Sequence, residues 1–381
     1  MLKKISIFFI AVLLLLLFCG CWNYTEVDQQ ANVSGIAIDK GQNGNKYLLT
    51  AEIMSMETSG GKSGVKTELV ESEGNTLFET IRKSAAISSK KLYFGHCKIL
   101  IISKNMAENE MIPILDTIMR DAELRLTVEI IISKTGTAKE LLTKKPIMNP
   151  ILAYEMDDTL ETNQKILFES SKTQVYQFVN TLGTDGICPI APAFETVNTT
   201  KNDSTCKLSG VAVFNKEKLV GFLNGDDVKS VLLATNKIKN AALSVKINEQ
   251  KDIFLSAEIF ESKAKIVPEK KDGELIINIE IQPVVIVSEF DTNTKITFQE
   301  FEKLFNAQLE QRITEVIRKV QKEFKVDIFG FGSTMRQKKT KLWEEYGTNW
   351  DKRFETVKFN VKSKVKIRGS GTTDLYVKIG E

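Results

Sequence analysis

A long apolar stripe near the C-terminus constrains the fold more than any other feature of the sequence. Between residues 301 and 324 its members follow at spacings of three, one or four residues, as on one face of an α-helix. β-rich runs lie on both sides of it, among them "ELIINIEIQPVVIVSEF" before and "VKFNVKSKVKIR" after. We therefore predict a long amphipathic helix over 298–324 that packs on a C-terminal sheet. The stripe consists of Phe301, Leu304, Phe305, Leu309, Ile313, Val316, Ile317, Val320 and Phe324.

The run "VKFNVKSKVKIR" alternates between apolar and polar residues, as a half-buried strand does. Its apolar face extends from Val357 to Ile367. We expect the opposite, basic face to be a solvated outer face of the sheet. Contact with anionic lipid or an acidic partner is the alternative, since each charge near an anionic membrane contributes about 1 kcal/mol. The basic face consists of Lys358, Lys362, Lys364, Lys366 and Arg368.

Strand-like and helix-like runs alternate through the rest of the chain, which indicates a multi-domain α+β protein. "KLYFGHCKILIIS" and "ELRLTVEIIIS" are predicted strands, and "SKTQVYQFVNTL" is a predicted helix. Pro113 predicts a kink or a later start for a helix over 106–120. The acidic stretch around Asp157 and Asp158 is predicted to be a solvated loop. The stretch "GTDGICPIAP" is the best candidate for a domain boundary.

The first twenty residues have the organisation of an export signal. Lys3 and Lys4 precede an apolar run from Ile5 to Phe18. That run is shorter than the roughly 17–25 residues that cross a bilayer. A basic start, a short apolar segment and a small residue before the break are typical of a signal peptide. An uncleaved signal anchor is the alternative.

Two cysteines follow this run, and the residues before them distinguish their roles. Gly20 precedes Cys21, which fits a peptidase that requires a small residue, whereas Phe18 precedes Cys19. Cys21 is therefore the predicted lipidation site of a bacterial lipoprotein, with an S-diacylglycerol group on its thiol and an acyl group on its new N-terminus.

Composition excludes some functions. Without Lys3 and Lys4, 50 Lys and Arg residues face 49 Asp and Glu residues, so the net charge gives no indication of nucleic-acid binding. Cys97, Cys188 and Cys206 remain beyond the anchor, and an odd number leaves at least one free thiol. Whether Cys188 and Cys206 pair stays open. Cys and His residues at zinc-site spacing are absent from the sequence.

Catalytic signals are weak. His96 is the only histidine, and a Ser–His or Cys–His hydrolase would have to use it. We interpret it as a structural residue, because Cys97 would point to the opposite face of a strand. "FGFGS" follows a helix and lacks the lysine spacing of a phosphate loop, so we predict a turn. Trp343 and Trp350 are predicted core residues.

These stretches, taken in order, resemble one family: the Ger(x)C lipoproteins, the C subunits of nutrient germinant receptors in endospore-forming bacteria. The resemblance covers essentially the whole mature chain, and the order of the motifs is more specific than any single motif. Asn23 departs from the pattern, which usually has Asp there, and Phe18 and Cys19 depart from the usual lipobox. The matching stretches are "CWNYTEV", "VSGIAID", "FGHCKILIIS", "RDAELRLTVEII", "SGVAVFNKEKLVGFL", "DIFGFGSTMRQKKTKLWEEYGTNWDKRF" and "KVKIRGSG".

The resemblance implies a three-domain α+β protein with mixed β-sheets flanked by helices. We place a signal peptide at 1–20, an N-terminal domain at 21–182, a middle hairpin and helix region at 183–238, and a C-terminal domain at 239–381. It also implies a non-enzymatic subunit without a cofactor, held by lipid on the outer face of the spore inner membrane. A-type and B-type germinant receptor subunits are the implied partners, and the B-type subunit is the expected germinant-binding component.

Two other functions compete with this one. A solute-binding lipoprotein of a transporter is the first alternative, but the sequence lacks the symmetry of two α/β lobes around a hinge. A cell-wall hydrolase is the second, and it would depend on His96.

Overall fold

The structure is a computed structural model that describes residues 3–6, 8–9, 26, 29–59, 62–121, 123–199, 203–248, 253–289 and 297–369. Cys21 and most of the predicted signal peptide lie outside these ranges. None of the described helices is both long and apolar enough to cross a membrane.

The larger sheet has nine strands in the described part of the chain. Their order is β3-β2-β1-β5-β6-β7-β8-β9, and β4 pairs with the start of β1. The central strands β1, β5, β6 and β7 are parallel, and antiparallel hairpins extend the sheet on both sides. The strands are β1 Gln30–Lys40, β2 Tyr47–Ser59, β3 Lys62–Gly74, β4 Lys91–Tyr93, β5 Ile99–Ser103, β6 Glu129–Ser133, β7 Ile190–Asn198, β8 Ser204–Asn215 and β9 Lys218–Leu223.

Helices cover both faces of this sheet, so β5 and β6 at its centre are buried along their whole length. On one face α1, α3, α4 and α7 pack against the sheet, and on the other face α5 and α6 do. The helices are α1 Leu77–Lys83, α2 Ala85–Ser88, α3 Lys104–Asn109, α4 Met111–Arg120, α5 Ala138–Leu142, α6 Leu152–Ile166 and α7 Val175–Leu182.

Within the ranges that the structure describes, the smaller sheet has five strands, in the order β10-β11-β12-β13, with β14 also paired to β12. Both β13 and β14 run parallel to β12, and the others are antiparallel. Its strands are β10 Ala241–Asn248, β11 Ile253–Lys271, β12 Glu274–Glu289, β13 Lys358–Ser363 and β14 Lys366–Gly369. The helices of this half are α8 Gly225–Ala234, α9 Phe298–Lys319, α10 Phe331–Lys338, α11 Thr340–Tyr346 and α12 Trp350–Phe354.

Helix α9 confirms the prediction made from the apolar stripe. Thr297 and Glu300 form a capping box at its start, and a π-helical turn, Val320–Phe324, continues it to the predicted end. Its buried side chains join one core with the inner face of the smaller sheet. Full burial of each such side chain contributes about 1.5–3 kcal/mol, so the stripe fixes this helix to the sheet.

The multi-domain α+β class is confirmed, with mixed sheets flanked by helices. The larger sheet continues across the "GTDGICPIAP" stretch, because β6 before it pairs with β7, which begins at Ile190 within it. A boundary at residue 183 would therefore pass between paired strands. The division into 21–182, 183–238 and 239–381 stays a prediction.

The prediction of a loop around Asp157 and Asp158 is wrong, since both lie in α6. Leu152, Met156 and Leu160 form a buried stripe at spacings of four residues, which the acidic residues between them obscure. Asp157 is buried against the sheet and Asp158 is exposed, so the two carboxylates do diverge.

Two predicted strands are shorter than expected. A turn at Gly95 and His96 separates β4 from β5, and only Glu129–Ser133 of "ELRLTVEIIIS" is a strand. The later helix start expected at Pro113 is confirmed, because α4 begins at Met111 and places the proline in its first turn. A proline costs no hydrogen bond there, since first-turn N–H groups have no partner within the helix.

Candidate functional site

The predicted lipidation residue, Cys21, lies outside the described residues, and the three described cysteines are all free. Cys188 and Cys206 are therefore not paired in this structure. Burial raises the pKa of Cys97 to about 12, of Cys188 to about 11 and of Cys206 to about 12. Because the thiolate is the nucleophile, none of these thiols is poised to react at neutral pH.

His96 lies exposed at the rim of a polar cleft of about 480 Å³. The cleft opens at the amino ends of β5 and β6, beside α6. Tyr154, Lys98 and Arg125 line it with His96. Cys97 faces the core instead, where its Sγ lies 3.4 Å from the carbonyl oxygen of Ile99. His96 and Cys97 therefore do not form a nucleophile–base pair.

The floor of this cleft holds a partly buried cluster of charged side chains that sequence reasoning missed. Nζ of Lys172 lies 2.8 Å from Oδ1 of Asp157, 3.3 Å from Oε1 of Glu161 and 3.8 Å from Oε1 of Glu129. Lys98 adds a second cation, 3.4 Å from the other oxygen of Asp157. These three carboxylates thus share two ammonium groups.

Glu129 is the least satisfied member of the cluster. Its residue is 2% exposed, and neither carboxylate oxygen has a hydrogen-bond partner. Burial raises its pKa to about 7, against the opposing effects of the Lys172 charge and of the nearby Gln174 side chain and Thr173 backbone, which lie beyond hydrogen-bond distance. The available sequence signal was an acid at the start of the apolar run "EIIIS", a position that the sheet buries.

The motif "VSGIAID" fixes two helices to the larger sheet. The hydroxyl of Ser34 donates to the Glu52 carboxylate at 2.6 Å, which also accepts from the backbone N–H groups of Leu152 and Ala153 at the start of α6. A Cβ on Gly35 would lie 2.7 Å from Cβ of Ala153, so only glycine allows this close approach.

Asp39, the last residue of the motif, fixes the start of α5 to the sheet. Its two carboxylate oxygens each accept at 2.8 Å, from the N–H groups of Ala138 and Lys139. Carboxylates at helix N-termini satisfy donors that have no partner within the helix. Ser34, Gly35 and Asp39 of the motif thus have structural roles.

A second carboxylate anchor lies in "DIFGFG". Asp327 is fully buried, and its oxygens accept from the N–H groups of Phe329 at 3.0 Å, Gly330 at 2.8 Å and Gly332 at 2.9 Å. Nε1 of Trp350 donates to it at 3.0 Å. Burial raises the pKa of Asp327 to about 6, although the donors on Gly332, Trp350 and Gly330 oppose the shift.

The predicted turn and the predicted core tryptophans therefore belong to one structure. The backbone of Gly330 has φ +73°, which favours glycine, and α10 begins directly after it. Trp350 is buried, Trp343 is half-buried, and their ring centroids are 6.0 Å apart. The backbone of the glycine-rich stretch thus surrounds the Asp327 carboxylate and donates hydrogen bonds to it.

The basic face of β13 and β14 is exposed, as predicted. Lys358 pairs with Glu274, Lys364 pairs with Glu280 at 2.6 Å, and Arg368 stacks over Phe260 at 4.5 Å. Contact of this face with lipid or an acidic partner stays a prediction. Among the described residues, no group of three or more His, Cys, Asp or Glu is arranged to hold a metal ion.

Comparison with known proteins gives the class of this fold. Residues 23–196 match the spore germination protein N-terminal domain, and residues 209–371 match the spore germination B3/GerAC-like C-terminal domain. The two matches follow one another along the chain, the first ending within β7 and the second beginning within β8. The chain thus has the N-terminal and C-terminal domains of this class of spore germination proteins, in that order.

Relatives and a solved structure agree with these matches. Spore germination protein KC of Bacillus subtilis (strain 168) is 24% identical over 97% of both chains. Spore germination protein B3 of the same organism is 25% identical over 97% of this chain and 99% of its own. The crystal structure of the GerBC protein, 22% identical, covers 88% of this chain and 97% of its own with a TM-score of 0.55, which supports the fold. The chain belongs to the Ger(x)C family.

Proposed function

We propose that this protein is the lipid-anchored C subunit of a spore nutrient germinant receptor, needed for receptor assembly and for signalling nutrient-triggered germination. The observation that carries this proposal is the ordered match of both spore germination models across most of the chain. Relatives named spore germination proteins align over nearly their whole length, which supports a shared role.

Cys21 is the proposed point of attachment. Acyl chains on its thiol and amino group hold the protein at the outer face of the spore inner membrane, because each buried methylene contributes about 0.8 kcal/mol. Anchoring raises the effective concentration of the subunit beside its partners, the A-type and B-type receptor subunits.

The proposed role is non-catalytic. The high pKa values of Cys97, Cys188 and Cys206 and the outward position of His96 support this, because a Cys–His hydrolase needs a thiol that ionises beside its base. The described residues give more support to a scaffold of buried anchors than to a reaction centre.

The anchor is tested with two cysteine variants in spores. Cys21→Ala is expected to remove palmitate labelling, release the protein from the membrane fraction and impair the response to nutrients. Cys19→Ala is the matched control, which is expected to behave as the natural protein. Membrane retention and normal germination with Cys21→Ala would contradict the anchor, as would an intact mass that still includes residues 1–20.

The assembly is tested separately. A tagged copy of the full-length protein is purified from spore membranes in mild detergent, and the co-purifying proteins are identified by mass spectrometry. We expect an integral subunit of the permease type and a second subunit that is partly soluble and partly membrane-embedded. Recovery of the tagged chain without either partner would contradict a receptor role.

A further inference from the structure

A cavity of about 710 Å³ opens where the regions matched by the two family models meet. One wall comes from the end of α6, segment 168–173, α7 and segment 187–190. The facing wall comes from the end of α8, the two lysines that follow it, and Ile328. Small-molecule sites have volumes of roughly 300–1,000 Å³ and favour such junctions.

The charges around this cavity are unbalanced. Four lysines line it, and among the described lining residues Glu161 is the one acid. Lys172 already pairs with Glu161 and with Asp157. No described carboxylate pairs with the three remaining ammonium groups. These belong to Lys165, Lys237 and Lys239.

Lys237 shows the imbalance most clearly. Lys237 is an exposed residue, but neighbouring groups partly desolvate its ammonium and lower its pKa, and no facing charge offsets this effect. A cation in such surroundings is stabilised by a counter-anion. The residue before it, Asn236, has φ +59° and accepts a hydrogen bond from the N–H of Ala264 at 2.8 Å, which fixes the turn that carries Lys237.

The facing wall of the cavity, around Phe168, also has a fixed backbone conformation. Phe168 has φ +53°, which is rare for a bulky side chain and persists only where neighbouring contacts impose it. Asn163 supplies those contacts: its carbonyl oxygen accepts from the N–H of Phe168, and its side-chain oxygen accepts from Glu169 and Ser170. The Ser170 hydroxyl then donates to the carbonyl oxygen of Gly210 on β8.

Between these two segments the wall is apolar. Phe168, Val231, Leu232 and Ile328 each belong to the core that includes the smaller sheet, and each lines the cavity. An apolar wall with a few convergent polar groups is the usual composition of a small-molecule site. Here the convergent groups are positive.

We infer that this cavity binds a compact organic anion, with its carboxylate or phosphate group at Lys237, Lys239 and Lys165 and its apolar body against Phe168, Leu232 and Ile328. The anion supplies the negative charge that the described residues do not. The inference goes beyond the proposed function and does not depend on it, because it concerns binding by this chain alone.

Lysine NMR tests the inference on the full-length protein in detergent. The lysines are reductively dimethylated with ¹³C, and the Lys237 signal is assigned from a Lys237→Arg variant. We expect this signal to titrate below those of the other exposed lysines, because neighbouring groups partly desolvate the Lys237 ammonium. Benzoate is expected to raise its pKa saturably, because a bound anion stabilises the ammonium form. Benzylamine, of similar size and opposite charge, is expected to have no effect.

Three outcomes would overturn the inference. They are no saturable response to benzoate, an equal response to benzylamine, and a response to phosphatidylglycerol vesicles without one to benzoate. Phosphate binding as tight as that of benzoate would remove the role assigned to the apolar wall, whereas weaker phosphate binding supports it.

Calorimetry with benzoate on substituted proteins locates the site. Lys237→Ala and Lys165→Ala are each expected to weaken binding about tenfold, the loss of one charge-assisted contact. Lys362→Ala, which removes an exposed lysine from the outer face of β13, is the matched control and is expected to leave binding unchanged. Unchanged affinity in both cavity variants, with melting temperatures like that of the natural protein, would place the anion elsewhere.

Discussion

Two buried carboxylates, one in the half of each sheet, differ in how many hydrogen-bond donors stabilise their charge. Asp327 receives four N–H donors from its own loop and from Trp350. Glu129 receives none, and its nearest cation, on Lys172, is 3.8 Å away and shared with two other acids. Burial alone therefore does not show whether a carboxylate stabilises the fold.

The pKa values of the two groups illustrate the point. Burial raises both, to about 6 for Asp327 and about 7 for Glu129. The surroundings of the two groups differ, because an amide in place of Asp327 would turn an NH₂ group toward hydrogen-bonding N–H donors, whereas no group donates to Glu129 within hydrogen-bond distance. The difference predicts opposite signs for the corresponding amide substitutions.

The largest effect is expected for Asp327→Asn. One carboxylate oxygen becomes an NH₂ group that faces N–H donors, and each orphaned buried donor costs about 1–3 kcal/mol. We expect the free energy of unfolding to fall by about 4 kcal/mol, measured by urea denaturation at pH 8. Asp158→Asn, at an exposed position on α6, is the control and should change little. Equal stability of the two variants would show that the donors do not require the carboxylate.

The second largest effect is expected for Glu129→Gln, which should raise the free energy of unfolding. Glu129→Gln resembles the protonated side chain, so it removes the cost of burying the charge, and we expect it to stabilise the protein by about 1–3 kcal/mol at pH 8. In the natural protein the folded-state pKa is about 7, against an ordinary value of 4.5. Its contribution to stability is thus fully present below pH 4.5 and lost as pH rises to about 7.

The pH dependence separates this explanation from a local packing change. Urea denaturation is measured between pH 4.5 and pH 8 for both proteins. The stabilising effect of Glu129→Gln should be absent at the acid end and grow through that window. A gain that is equal at every pH would instead indicate improved packing, and a loss at pH 8 would mean that the ionised cluster stabilises the fold.

Long-range partners explain which features the sequence could predict. The apolar stripe of α9 and the alternation of β13 are local periods, and burial on one face makes them visible. Helix α6 was missed because Asp157 is buried by pairing with Lys172, which lies beyond the end of that helix. The "FGFGS" turn was predicted, but the role of Asp327 depends on Trp350, 23 residues further along the chain.

The candidate sites also differ in whether a local sequence pattern predicts them. Export and lipidation of Cys21 follow from a contiguous sequence pattern, and they remain predictions because the described residues exclude that position. The two cavities depend on which distant segments meet. Lys165, Lys237 and Lys239 carry no motif, and only the fold brings the end of α6 and the residues after α8 to facing walls of one cavity.

The smallest effect on the free energy of unfolding is expected for Glu161, the exposed acid of the Glu129 cluster. It tests whether burial of a carboxylate is the source of the cost at Glu129. Glu161 shares Lys172 with Glu129, but its side chain is 52% exposed. Exposed ion pairs contribute about 0–1 kcal/mol, because water solvates the charges almost as well as they solvate each other. Glu161→Gln should therefore change the free energy of unfolding by less than about 0.5 kcal/mol, with the pH dependence unaltered. If it stabilised the protein as much as Glu129→Gln at pH 8, the surplus negative charge of the whole cluster, and not the burial of one carboxylate, would be the source of the cost.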